Sequence, residues 1–242
     1  MTELHDMHCH LDFMTNGESV AREAAAAGSL LFATTVTPSG YVRARERFAP
    51  FENVRVGVGL HPWWVRDGGD YAQVIELLEG TRFVGEIGLD FGKRHAQTRE
   101  AQVETFAAIA RACGALGGKV LSIHSVRAAR EALDVLGAAG ALESCTCIFH
   151  WYSGPSDQLK RAIDAGCMFS VNVRMLATGK GREYAKAIPA RQLLLETDAP
   201  PEQGAPYSWA LLRDELAQVA AQVAAIKGDA ALDTIAANAR RV

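Results

Sequence analysis

The sequence has no run approaching the roughly 20 uninterrupted apolar residues that a bilayer-spanning helix needs. Its opening stretch carries Glu3, His5 and Asp6 rather than the cationic and apolar pattern of a secretory leader. Both absences predict a cytoplasmic protein with no membrane partner. There is no surplus of basic charge: 25 Lys and Arg against 28 Asp and Glu give a formal net charge of -3, so any affinity for phosphate must be local. The five cysteines (Cys9, Cys113, Cys145, Cys147, Cys167) are odd in number and widely spread, which argues against a disulfide framework. Cys145-Thr146-Cys147 has no second CxC or CxxC to complete a zinc clip, and its apolar surroundings make both residues small hydrophobes. A Gly-rich phosphate loop is missing too, because Gly57, Gly59, Gly85 and Gly88 fall inside or at the ends of apolar runs.

What is present is the composition of an ordinary globular protein, 49% hydrophobic and 22% charged, over 242 residues that fit one domain, 1–242, without an internal linker. Short apolar runs recur, each followed by a turn and then by residues at helical spacing. They predict strands at Leu4 to Leu11, Leu30 to Thr37, Val54 to Leu60, Phe83 to Leu89, Val120 to His124, Cys145 to His150, Met168 to Val173 and Leu193 to Asp198. Phe106, Ile109, Ala110, Cys113 and Leu116 keep the three-and-four spacing of one apolar helix face, as do Trp209, Leu212, Leu216, Val219 and Val223 after the last strand. The Ala-rich stretch Ala24 to Ala27 reads as close-packed helix. Eight βα units predict an α/β fold, a (β/α)8 TIM-type barrel, with an open doubly wound sheet as the runner-up.

Six of the seven histidines, all but His95, lie on or just beyond these runs, and five of them fall at or near a run's carboxyl end, where the strand ends of a barrel converge on one mouth. His8 and His10, in His-Cys-His, share one strand face while Cys9 faces the other way. Glu86 is a carboxylate in an apolar strand and needs cations, since burying it unpaired costs several kcal/mol. Its two oxygens suit it to bridge two ions. His124 and His150 each end an apolar run, and Asp198 ends another, with Glu196 two residues earlier on the same face. The expected metal ligands are therefore His8, His10, Glu86, His124, His150 and Asp198. Imidazoles and carboxylates gathered in a dry cavity call for divalent cations, two of them, as zinc, manganese, iron or magnesium.

These residues stand in motifs that run the length of the chain: Asp-Met-His-Cys-His-Leu-Asp from Asp6 to Asp12, Gly-Leu-His-Pro from Gly59 to Pro62, Gly-Glu-Ile-Gly-Leu-Asp from Gly85 to Asp90, Ile123 to Ser125, His150 to Gly154, and Leu194 to Pro200. Taken together they resemble the TatD family of metal-dependent deoxyribonucleases, within the wider amidohydrolase-type barrels. The resemblance implies one metal on His8, His10, Glu86 and Asp198 and another on Glu86, His124 and His150. It places His61 near the substrate phosphate, matches Gln102 to Phe106 to the helix before the fifth strand, and suggests Asp12 and Asp90 as partners that orient imidazoles. Departures fall on the substrate side. Arg127 follows the fifth-strand histidine by three positions where the family has an arginine at two, Pro201-Glu202-Gln203 replaces the usual Tyr and Leu, and the seventh strand reads Ser-Val-Asn-Val rather than Ser-x-x-Gly. The second unit, with Thr34 to Ser39, resembles a divergent branch that includes members associated with bacterial anti-phage systems, where partner subunits are expected.

The implied activity is hydrolysis of DNA phosphodiesters by two-metal activation of water. Glu86, Asp198 and Glu196 are the catalytic carboxylates, Asp198 accepting the proton from water with Glu196 as helper, and His61 and Arg127 hold the scissile phosphate. Trp63, Trp64, Trp151 and Tyr152 are candidates for stacking the bases of single-stranded DNA or of strand ends, or for packing under the loops. Two alternatives share the residues: hydrolysis of an ester or amide such as a D-aminoacyl-tRNA, and a non-catalytic, metal-stabilised subunit that recognises DNA.

Overall fold

Runs rich in Val, Ile, Leu and Phe become strands where a neighbouring run offers backbone partners. The computed structural model describes residues 3–66, 71–204 and 206–242 and contains eight such strands: β1 (Asp6–Cys9), β2 (Leu31–Thr34), β3 (Val54–Gly57), β4 (Phe83–Asp90), β5 (Val120–Val126), β6 (Thr146–His150), β7 (Met168–Val171) and β8 (Leu193–Leu195). All eight fall within or across the runs expected from the sequence. Their ends differ for a backbone reason. β1 stops before His10, whose φ of -101° and ψ of 66° leave the extended region, and β8 stops three residues before Asp198, which takes φ 58°. β4 and β5 instead run on past Leu89 and His124, because Leu89 pairs with Ser125 and Asp90 with Val126.

The chain divides into two compact units, one of Met1–Ala33, Arg43–Val56 and Phe169–Val242, the other of Thr34–Val42 and Gly57–Met168. In the first, β1 lies parallel to β2 with Asp6 opposite Leu31 and Cys9 opposite Ala33, and β7 lies parallel to β8 with Phe169 opposite Leu193. Cys9, Leu31, Ala33, Phe48, Trp209 and Leu212 belong to one buried apolar cluster, which accounts for the outward face of β1. The helix Trp209–Lys227 buries the expected stripe Trp209, Leu212, Leu216, Val219 and Val223. A further helix, Ala230–Arg241, was not anticipated, since its buried face is largely alanine (Ala231, Ala236, Ala239) and gives little periodic signal. In Gly17–Ala26, Ala24 is buried while Ala25 and Ala26 are exposed, so close packing holds at one position of that alanine run.

In the second unit β4, β5 and β6 are parallel neighbours, with Ile87 opposite Ile123 and Ile123 opposite Phe149. The helix Arg99–Leu116 buries Phe106, Ile109, Ala110 and Cys113 as expected. Leu116 departs from the pattern and is 47% exposed, because it ends the helix one residue before Gly117, which turns the chain away at φ 64°. Cys147 and Cys145 direct their sulfurs to the carbonyls of Ala141 and Cys113, at 3.6 and 3.3 Å. Among the described residues no helix is long and apolar enough to cross a membrane.

Candidate metal centre

In the first unit, the end of β1 is laced to the segment that follows β8. Asp198 N–H donates to the His8 carbonyl at 2.9 Å and His10 N–H to the Ala199 carbonyl at 2.8 Å. Asp6 reinforces the junction: its carboxyl accepts from Thr197 N–H at 3.1 Å and Thr197 Oγ1 at 2.6 Å. Burial pushes the Asp6 carboxyl up to about 8 against the pull of these hydrogen bonds. With the backbones locked side by side, the Nε2 atoms of His8 and His10 lie 3.6 and 3.5 Å from Asp198 Oδ1. The left-handed φ of Asp198 is one that Asp tolerates better than most residues. His10 is stacked on Phe13, with ring centroids 4.9 Å apart. Burial raises the Asp12 carboxyl pKa, with the nearby His10 opposing it. Glu196 is fully buried and accepts from Ser170 Oγ and from Asn172 Nδ2, the latter at 2.7 Å, so the Ser-Val-Asn-Val sequence serves to hold this carboxylate.

In the second unit, Glu86 is 2% exposed. His124 Nδ1 and His150 Nε2 each lie 2.8 Å from Glu86 Oε1, and His61 Nε2 lies 3.3 Å from it. The His124 Nδ1 and His150 Nε2 atoms are themselves 3.3 Å apart. Two ring nitrogens and a carboxylate oxygen converging in this way match a nitrogen and oxygen donor set for a divalent cation. His8, His10 and Asp198 form a second such set, with their ligand atoms within 4.8 Å of one another.

His61 also falls within that distance of Glu86 and His124, but its tautomer argues for another role. Trp63 N–H donates to His61 Nδ1 at 3.1 Å, which leaves the ring proton of the neutral imidazole on Nε2. That edge therefore donates rather than ligates, and it faces Glu86 Oε1. His124 is set in the opposite sense by Asp90, whose Oδ2 is 3.4 Å from His124 Nε2 and accepts from Trp63 Nε1 at 2.6 Å. A carboxylate on the far nitrogen turns the near one toward the cation position. Burial alone would raise the Asp90 carboxyl, yet hydrogen bonds from His124, Trp63 and Gly92 N–H outweigh it and hold the group below the usual carboxylate range. For His124, burial favours the neutral ring, and the hydrogen bonds to Asp90 and Glu86 reverse that and raise its pKa. Gln102 fixes the same corner by accepting from Asp90 N–H at 2.8 Å. Gly88 belongs here too: at φ 138° it lies so close to the His124 carbonyl that a Cβ would overlap it.

The structure thus gathers His8, His10 and Asp198 in one group and His61, Glu86, His124 and His150 in another, with Glu196 buried beside Ser170 and Asn172. Arg127 joins neither group; it is exposed one residue past β5, at φ 54°. Tyr152 is buried and donates its hydroxyl to the Pro155 carbonyl at 2.8 Å, so it packs instead of stacking bases. Sequence reasoning missed Arg174, whose Nη1 lies 3.5 Å from Asp198 Oδ2. It also passed over Asp6 as a polar start to the chain. The signal was available: Asp6 shares the strand face of His8, and a carboxylate at that place in an apolar run raises the same question as Glu86.

Residues 5–242 match the family model described as TatD related DNase. The chain belongs to the TatD family. This TatD protein is 32% identical over 216 residues to an uncharacterized metal-dependent hydrolase TatD of Mycobacterium tuberculosis, covering 81% of this chain and 79% of that one. It is 29% identical over 192 residues to the 3'-5' ssDNA/RNA exonuclease TatD of Dickeya dadantii, covering 74% and 69%. The crystal structure of the Escherichia coli TatD homologue YjjV superposes with a TM-score of 0.81 at 24% identity, covering 98% of this chain and 96% of that one. That likeness gives the TatD protein an α/β, TIM-type metallo-dependent hydrolase fold, as the sequence led us to expect, and the family makes it a metal-dependent hydrolase.

Proposed function

We propose that this protein hydrolyses phosphodiester bonds of DNA, with single strands or strand ends as substrate, using two divalent cations held by His8, His10 and Asp198 and by Glu86, His124 and His150. The observation that carries the reading is the convergence of His124 and His150 on one oxygen of the buried Glu86, both at 2.8 Å. Divalent ions held by these residues would lower the pKa of water from about 15.7 towards about 7 and offset charge on the phosphoryl oxygens.

The chain's own groups supply the rest. Asp90 holds the His124 ring in place, and His61, with its proton on Nε2, donates to a phosphate oxygen. Asp198 accepts a proton from water, and Arg174, close to its carboxylate, supplies a local positive charge in a chain whose net charge is -3. Arg127, exposed at the end of β5, is free of a tight structural setting and meets the substrate further out. The name of the Dickeya dadantii relative supports a single-stranded nucleic acid as the substrate class.

The test is release of nucleotides from an end-labelled single-stranded oligonucleotide by the manganese-, zinc- or magnesium-loaded protein, beside His124→Ala and Asp198→Asn. We expect cleavage by the wild type and loss of at least 100-fold in both variants. Acyl release from a D-aminoacyl-tRNA with intact DNA would replace this reading with ester hydrolysis. DNA binding without cleavage, unchanged in His124→Ala, would make the protein a recognition subunit.

A further inference from the structure

Five large hydrophobic side chains are exposed among the described residues: Val42, Trp63, Trp64, Leu116 and Leu211. Trp63 and Trp64, 53% and 40% exposed, are the two that adjoin, on the short helical turn Pro62–Trp64 that follows His61. Their ring planes differ by 17° with centroids 6.3 Å apart, and His95 stacks on Trp63 at 5.2 Å and 9°. Three aromatic planes therefore stand nearly parallel at the surface.

They are also rigidly aimed. The Trp63 indole N–H is tied to Asp90 at 2.6 Å, its backbone N–H to His61 Nδ1 at 3.1 Å, and Trp64 N–H to the His61 carbonyl at 2.9 Å. The Trp63 ring centroid is 6.3 Å from that of His124, and the Trp64 centroid 5.6 Å from that of His61. Phosphates follow one another at about 3.4 Å per nucleotide along a stacked strand, so a base on this platform belongs to a nucleotide within about two of a phosphate at His61.

We infer that Trp63 and Trp64 form a stacking platform for an unpaired nucleobase next to the scissile phosphate, which makes an exposed base a requirement for a good substrate. This rests on the phosphodiesterase reading and names the feature that selects the strand. Aromatic faces accept any base, and both faces of a base are free only outside the duplex. Two half-exposed indoles fall far short of the roughly 800 Å² per partner that a stable protein interface buries. A chain with no basic surplus also has most to gain from a contact that salt does not screen.

The experiment compares metal-loaded wild type, Trp64→Ala and Trp64→Phe on a single-stranded thymidine oligomer and on an abasic strand of equal length. Trp64 is the ring to change, because Trp63 also positions Asp90. We expect Trp64→Ala to raise KM on the thymidine strand by about 5- to 150-fold, with a much smaller fall in kcat, and Trp64→Phe to recover most of the loss. The abasic strand should show a high KM in the wild type that Trp64→Ala does not raise further. Cleavage of both strands with equal KM, or an unchanged KM in Trp64→Ala, overturns the platform. Should the wild type cut neither strand, the phosphodiesterase reading fails and the platform is judged by binding alone. Quenching of tryptophan fluorescence by the thymidine strand but not by the abasic one then supports it, and equal quenching overturns it.

Discussion

Adding a divalent cation should raise the melting temperature of the metal-stripped protein, and Glu86→Gln should remove most of the share of that gain that the Glu86, His124 and His150 site supplies. Glu86 is 2% exposed with two imidazole nitrogens 2.8 Å from one of its oxygens, so the folded chain presents a ready donor set that an unfolded chain lacks. A ligand that binds only the folded state at 100 times its Kd stabilises it by about 2.7 kcal/mol. For a chain of this size each kcal/mol moves Tm by about 2–4 °C, so the wild type should gain about 5–11 °C. Glutamine keeps the shape of glutamate and discards its negative charge. Loss of even an orienting partner of a ligand costs up to about 100-fold in affinity, and loss of the ligand charge should cost no less. At the same cation concentration, a 100-fold weaker site gives about 0.4 kcal/mol, or about 1–2 °C. Thermal melts with manganese, zinc and magnesium, with a chelator as reference, measure both numbers. A full shift retained in Glu86→Gln, or no shift of the wild type with any of the three ions, would refute the reasoning.

Gly88→Ala places a methyl group against the His124 carbonyl at φ 138°. Such a conformation alone costs about 1–3 kcal/mol, and melts should fall by about 2–12 °C together with metal affinity; an unchanged melt would show that the strand yields there freely. Asp6 titrates near 8 in the folded chain against an ordinary value of 3.8, so the folded state holds a proton that the unfolded state releases between those pH values. The stability from its neutral form is complete below about 3.8 and is lost as pH rises towards about 8. Asp6→Asn, which has no proton to lose, should therefore gain on the wild type as metal-stripped samples are denatured in urea at pH 5, 7 and 9, and a constant difference would contradict the assignment. Arg174→Ala removes a guanidinium 3.5 Å from Asp198. Calorimetry should show tighter cation binding while KM for DNA rises, and weaker cation binding would mean that Arg174 holds Asp198 in place.

Strand positions were legible because each apolar run is short and ends in a turn or a polar residue, and the candidate ligands because histidine and carboxylate are rare inside such runs. His124 and Glu86 show why this worked: one ends an apolar run, the other interrupts one, and both are buried. Strand ends were less legible, since they depend on which backbone partner is present. Asp90 extends β4 because Val126 lies opposite, whereas Asp198 leaves β8 because its backbone turns to reach His8. The alanine-faced helix Ala230–Arg241 escaped notice for the reason that small side chains pack closely without marking a period.

The groups that sequence reasoning missed share one trait: their work depends on a partner far along the chain. Asp6 and Thr197 are 191 residues apart, and nothing in either local sequence announces a hydrogen bond between them. Trp63 and Asp90 are 27 apart, and although the sequence offered Trp63 as a stacking residue and Asp90 as a partner for an imidazole, nothing in it paired the two. Yet the direction of His124 depends on that second pair, because the indole N–H and the His124 ring compete for the same Asp90 oxygen, at 2.6 and 3.4 Å. The shorter bond holds the carboxylate in place, and the longer one turns the imidazole. A phenylalanine at position 63 would keep the stacking ring and drop the tie, so Trp63→Phe should lower metal affinity while leaving strand binding largely intact. Trp64→Ala should do the reverse. If both variants weakened metal and strand alike, the two roles assigned to this aromatic pair could not be separate.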